Sequence, residues 1–142
     1  MQEIVVGTDG SRAARMALEF AGRLALETGA RLTVVCIHRP APAMPVPLPA
    51  TRTASDMGAY WQAEDQAAQA QAGEVLDPLG VAWKIAVRNG DPAVALDGVA
   101  NEHGAELIVV SGRGGSMGHR LRLGSVSDRL VRHADRPVLV VR

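Results

Sequence analysis

Five apolar, β-branched-rich runs alternate with longer segments of helical period, and this predicts an α/β fold: an open five-stranded parallel sheet with helices on both faces. The runs are Glu3–Val6, Leu32–Ile37, Ala82–Val87, Leu107–Val110 and Val138–Val141. They hold Val, Ile and Leu almost continuously rather than in alternation, the pattern of strands covered on both sides. The 142 residues, 47% apolar and 21% charged, amount to one domain with an ordinary core. No internal repeat is visible, so residues 1–142 are read as a single unit.

After the first strand, Ser11 is the expected N-cap of a helix that ends at Gly29. Ala14, Ala17, Leu18, Ala21, Leu24, Ala25 and Thr28 form its apolar stripe, and Arg12, Arg15, Glu19 and Arg23 the opposite face. Residues 39–58, where most of the prolines sit, can form neither helix nor central strand. They are expected to run as a mobile, extended crossover loop, with a Pro-rich ligand for a partner as the alternative reading. The Ala-, Gln- and Glu-rich stretch from Tyr60 to Leu79 predicts the second helix, ending near Pro78 and Gly80. Asp91 is a natural N-cap for the third helix, with Pro92 at its first position, where a missing N–H costs nothing. The fourth helix is expected from Gly124-Ser125 to about Ala134, burying Val126, Leu130, Val131 and Ala134. Pro137 then turns the chain out of helix before the last strand.

Composition excludes several function classes. Lys+Arg and Asp+Glu balance at 15 each, so bulk charge offers no attraction to nucleic acid or an anionic membrane. No apolar run approaches the roughly 20 residues of a membrane span, and the start MQEIVVGTDG lacks the features of a signal peptide, which makes a cytoplasmic location the expectation. Cys36 is alone, so neither an intrachain disulfide nor a Cys-based zinc site is expected.

Ligands of open parallel sheets bind beyond the carboxyl ends of the strands, where strand order reverses. Two loops stand out there. Strand one ends in Gly7-Thr8-Asp9-Gly10-Ser11, and strand four in a glycine-rich segment that runs from Ser111 through Gly112, Arg113 and Gly114 to Gly124, Ser125, Val126 and Ser127. Glycines let the backbone approach an anion closely, and the first turn of a helix supplies free N–H groups at the positive end of its dipole. Arg113, Arg120 and Arg122 add charge, and no Asp or Glu appears from Ser111 to Ser127. The hydroxyls of Ser125 and Ser127 are expected phosphate donors. The alternative is a flexible connection with ordinary capping serines. A P-loop is excluded because G-x-x-x-x-G-K-[ST] is absent and the single lysine, Lys84, lies in a predicted strand. Gly7-Thr8-Asp9-Gly10 does not match the dinucleotide fingerprint G-x-G-x-x-G either.

VVGTDGS after strand one, GDP before helix three, VVSGRGG after strand four and GSVSDRLVRHADRPVLVV at the end together resemble the universal stress protein family over essentially the whole chain. The resemblance implies a Rossmann-like sheet of order 3-2-1-4-5. Its ATP-binding subgroup has the motif G-x2-G-x9-G-[ST], which is met here as Ser111-x2-Gly114-x9-Gly124-Ser125, with serine at the first glycine. A register starting at Gly112-x2-Gly115 keeps both glycines but leaves eight residues before Gly124.

By that likeness Asp9 would face the ribose or a phosphate-bound Mg²⁺, with Gly7 and Thr8 lining the adenine and Ile37 contacting the base through its backbone. Gly112, Arg113 and Gly114 would wrap ribose and phosphates, and Gly124, Ser125, Val126 and Ser127 would hold the phosphates. The residues also allow Asp9 a capping role and Ile37 a core role. The likeness further implies a homodimer through the last strand, residues 137–142.

The other conspicuous residues read as structural. Cys36 is expected as a buried, inert thiol. His38, His103, His119 and His133 are dispersed without metal-ligand spacing, and Trp61 and Trp83 are expected to pack on the sheet and second helix. The leading functional expectation is an ATP-binding regulator of the stress response, acting through differential affinity for two states. The alternatives are a slow Mg-dependent ATPase or nucleotide-transfer enzyme, and a nucleotide-free dimerisation module.

Overall fold

In the computed structural model, which describes residues 1–38, 54–112 and 123–142, five strands form one parallel sheet. The strands are β1 (Glu3–Thr8), β2 (Arg31–His38), β3 (Trp83–Asn89), β4 (Leu107–Ser111) and β5 (Val138–Val141). Their order is β3-β2-β1-β4-β5, so the chain steps outward in one direction from β1 and then returns to build the other side. This is the doubly wound arrangement, and its switch point lies between β1 and β4. In register, Thr8 of β1 stands beside Cys36 of β2, and Val6 beside Val109 of β4.

Successive residues of a strand face opposite sides, and the core divides accordingly. Ile4, Val6, Leu32, Val34, Leu107 and Val109 are buried beneath α1 (Arg12–Thr28) and α2 (Ala54–Leu76). Val5, Val35, Ile108 and Val110 are buried on the other face, beneath α3 (Pro92–Glu102) and α4 (Ser125–His133). Each large side chain so buried contributes about 1.5–3 kcal/mol. Small residues let α1 sit close. Its buried side is Ala14, Ala17, Leu18, Ala21, Gly22 and Ala25, and a Cβ on Gly22 would lie 2.7 Å from Leu79 and 2.8 Å from Leu76.

Helix ends follow local chemistry. The Ser11 side chain accepts from Ala14 N–H, and Gly29 closes α1 in the left-handed region at φ 70. Asp91 caps α3 by accepting from Val94 N–H, with Pro92 at the first turn. Past the end of α3, Arg136 donates to the Ala105 carbonyl (2.7 Å) and to Asn101 Oδ1 (2.8 Å). One carboxylate is buried in the sheet: Glu3 accepts from Thr33 Oγ1 at 2.5 Å and from Arg31 Nε at 3.2 Å.

The structure corrects several expectations. The second helix begins at Ala54 rather than Tyr60, so residues 54–58 are helical, while residues 39–53 of the expected crossover lie outside the described residues. It also ends earlier, at Leu76, because the Pro78 ring cannot continue the α-helical ladder and Asp77–Leu79 tightens into a 3-10 turn. Strands β1, β2 and β4 extend beyond their apolar runs to Thr8, His38 and Ser111, since backbone pairing is indifferent to side-chain polarity. Thr28 and Val131 are exposed: the first lies in the last turn of α1, and the buried stripe of the short α4 is only Ser127 and Leu130.

Candidate functional site

At the carboxyl ends of β1 and β4 lies a cleft of about 380 Å³. Nine of the twelve residues singled out in the sequence line it: Gly7, Thr8, Asp9, Ile37, Ser111, Gly124, Ser125, Val126 and Ser127. Ala14, Pro92, Leu96 and Val110 complete the lining. Leu96 explains the glycine at position 7, where a Cβ would stand 3.1 Å from Leu96 Cδ1.

One wall is the start of α4. Gly124 caps this helix without a side-chain hydrogen bond, so the N–H groups of the first turn are left for a ligand, at the positive end of the helix dipole. Ser127 differs from expectation. It is buried, and its single hydroxyl proton goes to Gly124 O at 3.0 Å, so the side chain spends its donor on its own helix rather than on the cleft. Gly112 also differs, because it sits behind the cleft: its N–H donates to Val141 O (2.7 Å), and its carbonyl accepts from Gly124 N (2.8 Å). A Cβ there would meet Arg142 Cγ at 3.0 Å, so Gly112 serves as a close link between β5 and α4. Arg113 and Gly114, with Arg120 and Arg122, lie outside the described residues.

The opposite wall is the β1–α1 loop. Asp9 Oδ1 accepts from Ser11 N–H at 3.0 Å, and Gly10 turns the chain at φ 75. Gln71 of α2, which the sequence reading passed over, clamps this loop. It accepts from Thr8 Oγ1 (3.2 Å) and donates to the carbonyls of Gly10 (3.1 Å) and Ser11 (3.4 Å). Nothing in an Ala/Gln-rich helix marks one glutamine among several. Among the described lining residues Asp9 is the one charged side chain, exposed at the mouth. Beside the cleft, Arg129 Nη1 lies 2.7 Å from Asp91 Oδ2, joining the starts of α4 and α3.

A second group of polar side chains lies on the other face of β2. Cys36, a ring nitrogen of His38 and an Asp65 carboxylate oxygen all lie within 4.8 Å of one another. His38 is not dispersed after all. Its Nε2 is 2.6 Å from Asp65 Oδ1, its Nδ1 is 3.2 Å from Asn89 Oδ1, and its ring stacks on Trp61 with centroids 5.3 Å apart. Burial first, then the charges of Asp65 and Glu64, push the Cys36 thiol up to about 11, so it is no nucleophile. The signal available in the sequence was Cys36-x-His38 on one strand, which puts both side chains on the same face. Trp83 packs against the core under α1 and α2, as expected, and its Nε1 donates to Asp77 Oδ1 at 2.8 Å.

Fold and cleft together define a Rossmann-like α/β protein with a ligand cleft at the switch point of its sheet. The chain belongs to the universal stress protein family, whose model matches residues 1–142. Among curated relatives, universal stress protein YxiE of Bacillus subtilis is 31% identical over 153 residues, covering 99% of this chain and 98% of that protein. Universal stress protein MJ0531 of Methanocaldococcus jannaschii is 30% identical over 141 residues, covering 99% of this chain and 82% of that one. Among solved structures, a universal stress protein in complex with cAMP is 28% identical with a TM-score of 0.75, over 99% of this chain and 97% of that one. UspA of Lactobacillus plantarum shares the fold at 24% identity and a TM-score of 0.80, over 99% of this chain and 97% of that one.

Proposed function

We propose that this protein binds an adenine nucleotide, ATP in the first instance, in the switch-point cleft, and acts as a nucleotide-dependent regulator in the stress response of the cytoplasm. The observation that carries the reading is the uncapped N-terminus of α4 set into the cleft wall, where free N–H groups and the helix dipole favour a phosphate. The cleft volume of about 380 Å³ suits a small ligand, and a relative 28% identical to this chain is known in complex with cAMP.

In this reading Ser111 and the first turn of α4, from Gly124 through Ser125 and Val126 to the backbone of Ser127, hold the phosphates. Arg113 and Gly114 are assigned to the ribose and phosphates by the family resemblance alone. The half-apolar floor at Gly7, Thr8 and Ile37 receives the base, with the Ile37 backbone as its polar contact. Asp9 at the mouth faces the ribose or a Mg²⁺ brought with the phosphates. Such an ion would screen phosphate charge in a cleft whose described residues supply no cation.

A slow Mg-dependent ATPase or nucleotide-transfer enzyme is the second reading, favoured by that one carboxylate at the mouth. Lys84 does not assist it: its Nζ is 3.1 Å from His103 Nδ1, outside the lining of the cleft.

Calorimetric titration with ATP, AMP and cAMP, alongside chromatography of nucleotide released on denaturing the fresh protein, tests the proposal. One adenine nucleotide per chain is expected, and Gly124→Val should weaken ATP at least about tenfold by filling the approach to the free N–H groups. Recovery of ADP with measurable phosphate release would favour the enzyme. No nucleotide and no heat would leave a nucleotide-free dimerisation module.

A further inference from the structure

We propose that Cys36, His38 and Asp65 form a binding site for a divalent transition-metal ion of the zinc class, on the face of β2 turned away from the switch-point cleft. Cys36 and His38 are two apart on the strand and point together toward α2, where Asp65 meets them. One sulfur, one imidazole nitrogen and one carboxylate oxygen thus converge from two elements, all within 4.8 Å. Zinc bonds of about 2.0–2.3 Å place tetrahedral ligand atoms roughly 3.3–3.7 Å apart, so small side-chain rotations bring the three donors onto one ion. Asp65 makes most of that adjustment: its side chain is one-third exposed, whereas His38 is 7% exposed.

The surroundings are those of a ligand set. With an ion on Nε2 the ring proton sits on Nδ1, and Asn89 Oδ1, 3.2 Å away, is placed to accept it, which is how metal-binding imidazoles are oriented. Nε2 and a carboxylate oxygen 2.6 Å apart must hold a proton or a cation between them. Stacked Trp61 covers the ring. Thiolate with imidazole selects zinc or cobalt over magnesium or calcium, and three protein ligands leave the fourth position to water. On binding, the Cys36 thiol gives its proton to solvent and the Sγ–metal bond forms in its place; no electron is transferred. In this proposal a single cysteine suffices, because His38 and Asp65 supply what further cysteines would.

The test is titration of the chelator-treated full chain with Co²⁺ as the probe. The expected result is one Co²⁺ per chain with a thiolate-to-cobalt absorption band in the near ultraviolet, lost on adding Zn²⁺ and untouched by Mg²⁺. Cys36→Ser should abolish the band, and His38→Gln and Asp65→Asn should each weaken cobalt binding by about tenfold or more. Asn89→Ala, at an exposed position, keeps all three ligands and should weaken it by roughly 10–100-fold. Circular dichroism checks that each variant is folded, and if Cys36→Ser is not, the wild-type band and the other variants decide. No band with wild-type protein, or affinity unchanged in both His38→Gln and Asp65→Asn, would overturn the proposal. Gly124→Val should leave the cobalt titration unaltered, so the nucleotide reading and this one can fail separately.

Discussion

Tyr60 and Glu64, one turn apart on α2, give the molecule an optical reporter. A hydrogen bond to Glu64, then its negative charge, raise the Tyr60 phenol above its ordinary range. A group whose pKa is raised on folding lends stability that is fully present below its unfolded pKa and is lost as pH rises through the folded one. With the side chain fully at the surface, the effect belongs to the spectrum rather than to stability. Tyr60 is the single tyrosine, so an ultraviolet phenolate titration reads it alone. Its midpoint should lie above that of free tyrosine and return to the ordinary range in Glu64→Ala. Periodicity places Tyr60 and Glu64 on one face of a helix, but nothing in the chain's order pairs Glu3 with Thr33. That contact exists because β1 and β2 lie side by side, and strand patterning had read Glu3 only as the start of an apolar run.

At the scale of elements, caps decide where the site's helices begin. Asp91 has two partners: one carboxylate oxygen accepts from Val94 N–H, and the other meets Arg129 of α4. The ion pair is about half exposed at both ends, so the cap is the larger contribution. Asp91→Ala should therefore lower unfolding stability by about 1 kcal/mol, and Asp91→Asn, which keeps a capping oxygen, by about 0–0.5 kcal/mol, both read by urea denaturation. The N-caps Ser11, Asp91 and Gly124 were legible as residues because capping is local chemistry. The start of α2 was not. Its Ala-, Ser- and Gly-containing first turns look like the loop before them, and weak propensity marks no boundary there.

At the scale of the whole molecule, β5 is an edge strand whose four residues are only half buried. Unpaired backbone along an apolar edge invites a second strand, and antiparallel pairing of β5 with its twin would cover it in a two-fold dimer. Light scattering at micromolar concentration should give the mass of two chains, and replacing Val140, whose backbone N–H points away from β4, with Pro should shift it toward one. Among the described residues no helix is long and apolar enough to cross a membrane, and the exposed large apolar side chains are scattered over α1, α2, β3, α3, α4 and the N-terminus.

The sequence by itself determined the five strands, their parallel burial, the caps of α1, α3 and α4, and the two polar loops at the sheet's carboxyl end. These follow from period, propensity and backbone chemistry within a few residues of one another. Tertiary structure alone decided which of those residues share a surface. It gathered Gly7, Ile37, Ser111 and Ser125 into one cleft and moved Gly112 behind it. It also brought Asp65 and Asn89 to the side chain of His38, and Gln71 to the loop after β1. The physical reason is the same throughout. A strand's side-chain direction is fixed by its neighbours and by which helix covers it, and those neighbours are distant in the chain: 27 residues separate His38 from Asp65, 63 separate Thr8 from Gln71, and Ile4 pairs with Leu107.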